Sequence, residues 1–431
     1  MKLSKGKICL ILFLGLNLCC LSEAFIFYFK LLPEITLFYM RFCSFLLLPP
    51  MLLFYSRDIQ LGDRKYFFRE ILIIIFVLNA ISTINGLFKN GYGPIYVFDL
   101  YSFWGLFIFL ILGTSRRFWV DFESVGFHIL ILGFLVNIPS SFIIKPTYHI
   151  DVESLADITG SGRIAILILA YKTQWALAFS PYFFLISDKF GKGKKILIYI
   201  IFFFNIFQQI IFQKRAPIIR FITYLVLNFF AFKSFPNGRK RVLKWNTILY
   251  YTLIVFLSVS ILTFIIPIDL LYSQVEGLLK RLQGETGHVG GTYSNPVLSI
   301  FSTENERIIE VLIYLESCNI SDIFFGKGFG GYFYDNLIFK LDRAQIHIGI
   351  FNFMLKNGIF MMLIYFFSVL ICILKYSTIK KKLEANARFW CVMVTSLFYF
   401  MEGFHYYNSA SFDLILLFTS IGYIISCEDV S

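Results

Sequence analysis

Several arginine residues lie beside long apolar runs, at positions where an anionic group could balance their charge. Arg163 begins one such run, and Arg215 and Arg220 belong to the segment FQKRAPIIRF between two others. Arg307 and Arg343 lie in a long segment of mixed polarity. The planar guanidinium group donates paired hydrogen bonds to phosphate or carboxylate oxygens. We therefore predict a cationic pocket for a lipid phosphate or pyrophosphate.

The alternative for each cation taken singly is that its long side chain reaches the lipid headgroups while its stem stays in the apolar layer. That explanation suits Arg41 and Lys214 well. It suits Arg215 and Arg220 less well, because they occur together on the side of the membrane where Lys and Arg are usually depleted. Both interpretations remain open at this point.

His347 has a position suited to general-base chemistry, since it lies where the segment of mixed polarity meets an apolar run. A neutral imidazole accepts a hydroxyl proton near pH 7. A single histidine at the end of an apolar run is also often structural. No pair among the eight cysteines has metal-ligand spacing. Glu402 and His405 have i, i+3 spacing, but no third ligand accompanies them. We therefore expect no metal site and no cofactor.

The segment GKGFGG at 326–331 matches the spacing of a dinucleotide-binding fingerprint. That fingerprint requires a preceding strand and a following helix within a βαβ unit. The surrounding sequence predicts neither, so we exclude a dinucleotide site. We expect these glycines to allow tight turns and a close approach of the backbone to another surface.

The composition decides which elements must position these residues. The 431 residues are 58% hydrophobic and 15% charged, and Phe occurs 54 times. Apolar runs long enough to cross a bilayer recur along the chain, and their continuous Ile, Leu and Phe content excludes the alternating strands of a barrel. We predict an all-α polytopic membrane protein with about twelve spans near 7–28, 35–56, 70–87, 96–113, 123–143, 163–187, 196–213, 217–232, 246–266, 347–374, 389–404 and 411–427.

The loop charges predict the orientation. With both termini in the cytoplasm, each inside loop is basic, and more than half of the 39 lysines and arginines are on that side. The net charge of +12 is then largely a topology signal, and no nucleic-acid partner is needed to explain it.

Two outer loops are unusually long, at 144–162 and at 267–346, and long loops are typically functional. We therefore divide the chain into a membrane domain at 1–266, a large periplasmic loop at 267–346 and a second membrane domain at 347–431. Within the large loop, 302–318 predicts a helix with a capping box at Thr303 and Glu306. Its residues Ile308, Ile309, Leu312 and Leu315 are expected to rest against the membrane domain.

This architecture resembles the O-antigen polymerase and ligase superfamily, a group of metal-independent, GT-C-like integral-membrane glycosyltransferases. The shared features are twelve spans, a large outer loop before the last three, KRA opening span eight, and an Arg, Gly-x-Gly, His-x(10)-Gly series ending at Gly358. In the ligases, residues other than Ile348 are typical directly after the histidine. Residues other than Met361 are typical three positions after Gly358. The resemblance therefore favours a Wzy-type polymerase.

The resemblance implies a site at the periplasmic face of a bacterial inner membrane. Arg215 and Arg307 match the family arginines that hold the pyrophosphate of an undecaprenyl-pyrophosphate-linked glycan, and Arg163 and Arg220 are additional substrate-binding candidates. His347 matches the histidine proposed to activate the acceptor hydroxyl. Expected partners are the glycan donor and acceptor, the lipid bilayer, a chain-length regulator and a flippase.

Three other functions remain as alternatives. A ligase that transfers the finished glycan to the lipid A core would use the same site with a different acceptor. A lipid-linked oligosaccharide flippase or other transporter would also have twelve spans, but more often places ionisable residues near the midplane and shows repeats or broken helices. A purely structural membrane subunit would leave the outer arginines unexplained.

Overall fold

The computed structural model describes residues 3–21, 34–59, 66–148, 175–211, 215–230, 310–335, 341–346, 348–379, 383–401 and 412–427. These residues are mostly helical, as expected for an all-α membrane protein. They belong to two units. Unit 1 is Met1–Tyr55, Arg117–Leu278 and Ser411–Asp413, and unit 2 is Ser56–Arg116, Leu279–Ala410 and Leu414–Ser431.

The helices, numbered along the described chain, are α1 Lys5–Leu21, α2 Glu34–Leu46, α3 Leu48–Tyr55, α4 Tyr66–Asn90, α5 Pro94–Leu112, α6 Arg116–Tyr148, α7 Ser180–Leu185, α8 Lys192–Ile211, α9 Arg215–Phe230, α10 at 310–316, α11 Ile320–Phe325, α12 Ile350–Asn357, α13 Ile359–Leu374, α14 Tyr376–Ile379, α15 Leu383–Met401 and α16 Phe412–Ser426. Short 3₁₀ turns cover Ser56–Asp58, Trp175–Leu177 and Ser187–Lys189. Strands β1 Phe333–Asp335 and β2 Leu341–Arg343 form an antiparallel pair.

Four helical segments within the described residues are long and apolar enough to cross a membrane: Tyr39–Asp58, Phe68–Asn90, Pro94–Leu112 and Arg116–Ile138. Two of them match the predicted spans 70–87 and 96–113 closely. The helices α13 and α16 are apolar but shorter. Large apolar side chains are exposed along α4 and α13, as a lipid-facing surface requires. The predicted span at 246–266 lies outside the described residues.

The predicted span at 347–374 is divided into two helices. α12 ends at Asn357, and α13 starts at Ile359. Gly358 between them has a φ of 81°, in the left-handed region that favours glycine. A Cβ at this position would overlap the Phe324 carbonyl. The prediction of one continuous helix was therefore wrong, because Gly358 adopts a left-handed conformation that ends α12.

Helix ends that the predicted topology places on one side meet within unit 1. Lys7 Nζ near the start of α1 donates to Ser124 Oγ on α6 at 3.0 Å. The hydroxyl of Tyr55, at the end of α3, donates to Asp121 on α6 at 2.9 Å. Lys189 donates to Glu123 at 2.6 Å. These contacts agree with alternating helix directions.

In unit 2 as well, helix ends that the predicted topology places on one side are in contact. Ile59, after α3, forms an isolated antiparallel bridge with Ser115, which precedes α6. Lys375 after α13 donates to the carbonyls of Ile425 and Cys427 at 3.0 and 2.9 Å. Those carbonyls end α16, where cations are favoured by the helix dipole. The predicted topology places Ile59, Ser115, Lys375 and the end of α16 on the cytoplasmic side.

The described parts of the long loop, 310–335 and 341–346, fold as α10, α11 and the strand pair within unit 2. Arg343 on β2 forms an ion pair with Glu310 on α10 at 2.9 Å. Val311, Tyr314 and Phe333 belong to one buried cluster. The prediction of a helix here is confirmed for 310–316, whereas Thr303, Glu306, Ile308 and Ile309 lie outside the described residues. Leu315 packs against the cluster as expected, but Leu312 is 52% exposed, so its predicted packing was wrong.

The segment Gly326–Gly331, which we call the glycine loop, lies against α4 and α12. The amide of Phe329 donates to the Ser82 carbonyl at 3.0 Å, and the amide of Lys327 donates to the Leu355 carbonyl at 2.7 Å. Asn90 Nδ2 donates to the carbonyls of Lys327 and Phe329, each at 3.0 Å. The loop backbone is thereby satisfied although it is largely buried.

We expect Gly86→Ala to destabilise the protein by about 1–3 kcal/mol, the usual effect of overpacking. A Cβ at Gly86 in α4 would overlap the backbone of Phe329, and backbone atoms have little room to move. The matched control is Gly15→Ala in α1, where a Cβ would meet no atom within 4 Å. That control should be neutral or slightly stabilising, since alanine favours helix more than glycine does. Thermal unfolding in detergent measures both, and equal midpoints would contradict the docking of the loop against α4.

Candidate functional site

The predicted site residues differ in how far the structure describes them. Arg163, Arg307 and His347 lie outside the described residues, so their predicted roles stay predictions. Arg215 is the first residue of α9, and its backbone is described. Arg220, in the second turn of the same helix, is described in full. The structure therefore bears on the segment that contains these two arginines.

Arg220 is buried and forms a bidentate ion pair with Asp413 in unit 1. Its Nη1 donates to Asp413 Oδ2 at 3.0 Å, and its Nη2 donates to Oδ1. Asp413 is also buried and is the second residue of α16. The fork of the guanidinium group matches the two carboxylate oxygens, which is the geometry of the strongest protein ion pairs.

The surroundings of this pair are apolar and aromatic. The ring of Phe412, next to Asp413, stacks on Phe179 with a centroid distance of 4.5 Å and an interplanar angle of 14°. Phe221 and Tyr224, near Arg220 on α9, are buried as well. Because little solvent reaches the pair, its two charges depend on each other for stabilisation.

The ion pair changes what Arg220 can do in a substrate site. Its two terminal nitrogens donate to a carboxylate, so the positive charge of Arg220 is already balanced within the protein. The geometry favours a positioning role, in which Arg220 fixes the first turns of α9. Arg215 begins that helix, and the unbonded amides of a helix start favour an anion. The positively charged residue Arg215 is thus also the first residue of α9.

We expect Asp413→Ala to destabilise the protein by about 3–5 kcal/mol, because it leaves the Arg220 guanidinium buried without its counter-charge. The double variant Arg220→Met/Asp413→Leu should recover much of that loss, since apolar side chains of similar size suit the site. Arg116→Met removes an exposed arginine and serves as the control, with an expected change within about 0.5 kcal/mol. Unfolding in detergent measures all three. A single variant as stable as the control would show that the pair does not form.

A second buried ion pair lies in unit 2 and was not anticipated. Lys356 Nζ donates to Asp99 Oδ2 and to the Gly331 carbonyl, each at 2.7 Å. The amide of Gly330 donates to the same carboxylate at 2.7 Å. Lys356 is 0% and Asp99 3% exposed. The pair joins α5, α12 and the glycine loop, and its partners are all supplied by the protein.

The signal for these residues was present in the sequence. Asp99 lies within the predicted span 96–113, Lys356 within 347–374 and Asp413 within 411–427. An ionisable residue inside an apolar run is costly, so it usually has a partner or a function. Only the lysines and arginines expected near the outer side were singled out from the sequence, so Lys356 and both carboxylates were missed.

The conformation of the glycine loop confirms the interpretation of GKGFGG. Gly326, Gly328 and Gly330 have φ values of 74°, 80° and 77°, which side chains rarely adopt. A Cβ at Gly328 would crowd the backbone of Gly86 on α4. The loop precedes a strand and follows the short helix α11, which is the reverse of the context that a dinucleotide site needs. These glycines serve close packing.

Cys318, between α10 and α11, is half-buried and packs against the hydrophobic cluster of the loop. Burial raises the pKa of its thiol, which favours the unreactive protonated form. Cys318 is therefore a packing residue.

Comparison with protein-family models, with curated proteins and with solved structures found no match to this chain.

Proposed function

We propose that the chain is an O-antigen polymerase, which joins oligosaccharide repeat units carried on undecaprenyl pyrophosphate. The observation that carries the proposal is the start of α9, where Arg215 is the first residue of the helix and Arg220 is held in place by Asp413. Such a helix start can bind a pyrophosphate. The apolar helices support a membrane location for the reaction.

The proposed topology has about twelve spans in a bacterial inner membrane, with both termini in the cytoplasm and the active site in the periplasm. The meeting of Lys7, Tyr55 and Lys189 with the start of α6 supports the alternation of spans that this topology requires. The start of α9 is then at the outer face, as is the loop that contains Arg307.

In the proposed reaction, His347 accepts the proton of a sugar hydroxyl on the incoming unit. The hydroxyl oxygen forms a bond to the anomeric carbon of the growing chain as the bond from that carbon to the pyrophosphate oxygen breaks. Arg215 and Arg307 stabilise the negative charge of the departing pyrophosphate, and Arg163 is an additional ligand. Direct attack inverts the anomeric configuration. The reaction then needs no metal ion and no cofactor.

In this proposal the main role of Arg220 is to form the ion pair with Asp413. The ion pair holds the second turn of α9, and the first turn carries Arg215. Because Asp413 already balances the charge of Arg220, this role needs no direct contact of Arg220 with the substrate.

A transporter such as a flippase is the second candidate. The break between α12 and α13 and the buried Asp99–Lys356 pair favour it, because interrupted helices and buried ionisable residues are common in transporters. However, Gly330 and Gly331 complete the bonding of that pair, and no substrate group is needed there. This observation makes a packing role the simpler explanation.

The test is a gel of the surface glycan from cells that lack this chain. A polymerase predicts lipid A core carrying a single repeat unit and no ladder of longer chains. Unmodified core with polymer left on undecaprenyl pyrophosphate would instead indicate a ligase. Unmodified core with single units retained in the inner leaflet would indicate a flippase, and an unchanged ladder would exclude all three functions. A chain-length regulator, as an expected partner, would alter only the length of the ladder.

A further inference from the structure

The short helix α11 exposes large apolar side chains although it belongs to the polar loop. Ile320 is 76% exposed, and Phe324 and Phe325 are each 43% exposed. We call these three residues the α11 patch. Ile320 and Phe324 are about one turn apart and lie on the same side of the helix, and Phe325 extends this exposed apolar surface around the helix. A contiguous apolar surface of this kind is unfavourable in water and usually marks an interaction surface.

α11 is fastened to the protein through polar contacts of Asp322. Asp322 is buried and accepts a hydrogen bond from Lys89 Nζ at 3.1 Å. Asn319 caps the helix by accepting from the Asp322 amide at 2.8 Å, and the Asp322 carboxylate lies 3.4 Å from the Asn319 amide. The capping box stabilises the start of α11, and the contact with Lys89 fastens the helix to α4.

Two independent contacts show which ends of the apolar helices of unit 2 lie next to α11. Lys89 belongs to the last turn of α4, whose membrane-length segment ends at Asn90. Phe324 packs against Phe360, the second residue of α13, with ring centroids 5.7 Å apart. α11 therefore lies where one apolar helix ends and another begins.

The patch is continuous with surfaces that face lipid. Phe360 is exposed, and the same helix exposes Leu363 and Phe367 farther along. On the other side, Phe88, next to Lys89, is 84% exposed. Aromatic and aliphatic side chains at the ends of spans commonly lie at the boundary between headgroups and acyl chains.

We propose that α11 is an interfacial helix whose patch inserts into the headgroup–acyl boundary of a phospholipid bilayer. Continuity with the lipid-facing surface of α13 favours lipid over a second copy of the chain or a soluble protein. The inference depends on the chain being a membrane protein and not on the proposed glycosyl transfer. Because Gly326 directly follows Phe325, insertion of the patch also anchors the start of the glycine loop at the membrane surface.

The experiment is photo-crosslinking of the full-length protein in nanodiscs of phosphatidylethanolamine and phosphatidylglycerol. The photoreactive residue p-benzoylphenylalanine replaces Ile320, Phe324 or Phe325 in three separate variants, and all three positions are exposed enough to accept it. Phe367, in the lipid-facing surface of α13, is the positive control position. Asp342, exposed on β2, is the negative control position. Mass spectrometry measures the yield of covalent phospholipid adduct.

We expect adduct yields at the patch to be similar to that at Phe367 and at least about tenfold above that at Asp342, since an aromatic side chain prefers an apolar environment by about this factor or more. Yields equal to that at Asp342 at all three positions would overturn the proposal. A covalent dimer or an adduct with another protein in place of lipid would overturn it as well, and would assign the patch to that partner.

Discussion

Lys356→Met is expected to destabilise the protein by about 3–5 kcal/mol, because it leaves the Asp99 carboxylate buried without its cation. The loss should be large, since Lys356 has no exposed surface and also donates to the Gly331 carbonyl. The substitution keeps the length and apolar volume of the side chain, so that the effect is one of charge and hydrogen bonding. Thermal unfolding of the purified protein in detergent measures the change.

The double variant Asp99→Asn/Lys356→Met tests the origin of this effect. It removes both charges, while the asparagine side-chain oxygen can still accept from the Gly330 amide. We expect it to be clearly more stable than the single variant. Lys192→Met, at an exposed lysine, should change stability by no more than about 0.5 kcal/mol. If the single and double variants unfold together, the ion pair contributes little and packing alone holds the glycine loop.

His347→Ala and Arg307→Ala are each expected to abolish the polymer ladder while the amount of protein in the membrane stays unchanged. Loss of a general base typically lowers the rate by about 10²–10⁴-fold, which would leave no visible ladder. Loss of a charge-stabilising donor has an effect of about 10²–10³-fold. The measurement is a gel of surface glycan together with an immunoblot of the membrane fraction, in cells that carry the variant as their sole copy.

Two further variants sharpen this result. His128→Ala removes an exposed histidine of α6 that is distant in sequence from the proposed site, and it should leave the ladder intact. Arg307→Lys keeps the positive charge but loses the paired donors, so that an intermediate ladder is expected if a pyrophosphate is bound bidentately. A normal ladder in His347→Ala would remove the histidine from the mechanism, even if the polymerase function itself held.

The apolar helices were predictable because hydropathy is a local property. The segment Phe68–Asn90 needs only its own composition to be recognised, and the prediction at 70–87 differed from it by two or three residues. The glycine loop was predictable in kind, since closely spaced glycines indicate turns and close approach. Its docking partner on α4 was not, because nothing local to 326–331 specifies Gly86 or Asn90.

Two of the results involve contacts between distant parts of the chain. The backbone of Gly358 lies against the Phe324 carbonyl, and the Arg220 guanidinium group pairs with Asp413, which is 193 residues away. Such contacts arise from tertiary structure and leave no periodic signal. The sequence identified Arg220 as an unusual position for an arginine. It did not show that a carboxylate of the protein, and not only an external phosphate, could balance the charge of Arg220.

The separation between Asp99 and its partners has a consequence for biosynthesis. The Gly330 amide that binds Asp99 is 231 residues farther along the chain, and Lys356 follows later still. At about 5–20 residues per second, a ribosome needs roughly 10–50 seconds to make the intervening stretch. During that interval the nascent α5 must enter the membrane with a carboxylate that has neither of these partners, a penalty of about 2.5–3.5 kcal/mol on insertion scales. Burial of the remaining apolar residues of α5 must offset this penalty until the glycine loop has been synthesised and completes the pairing.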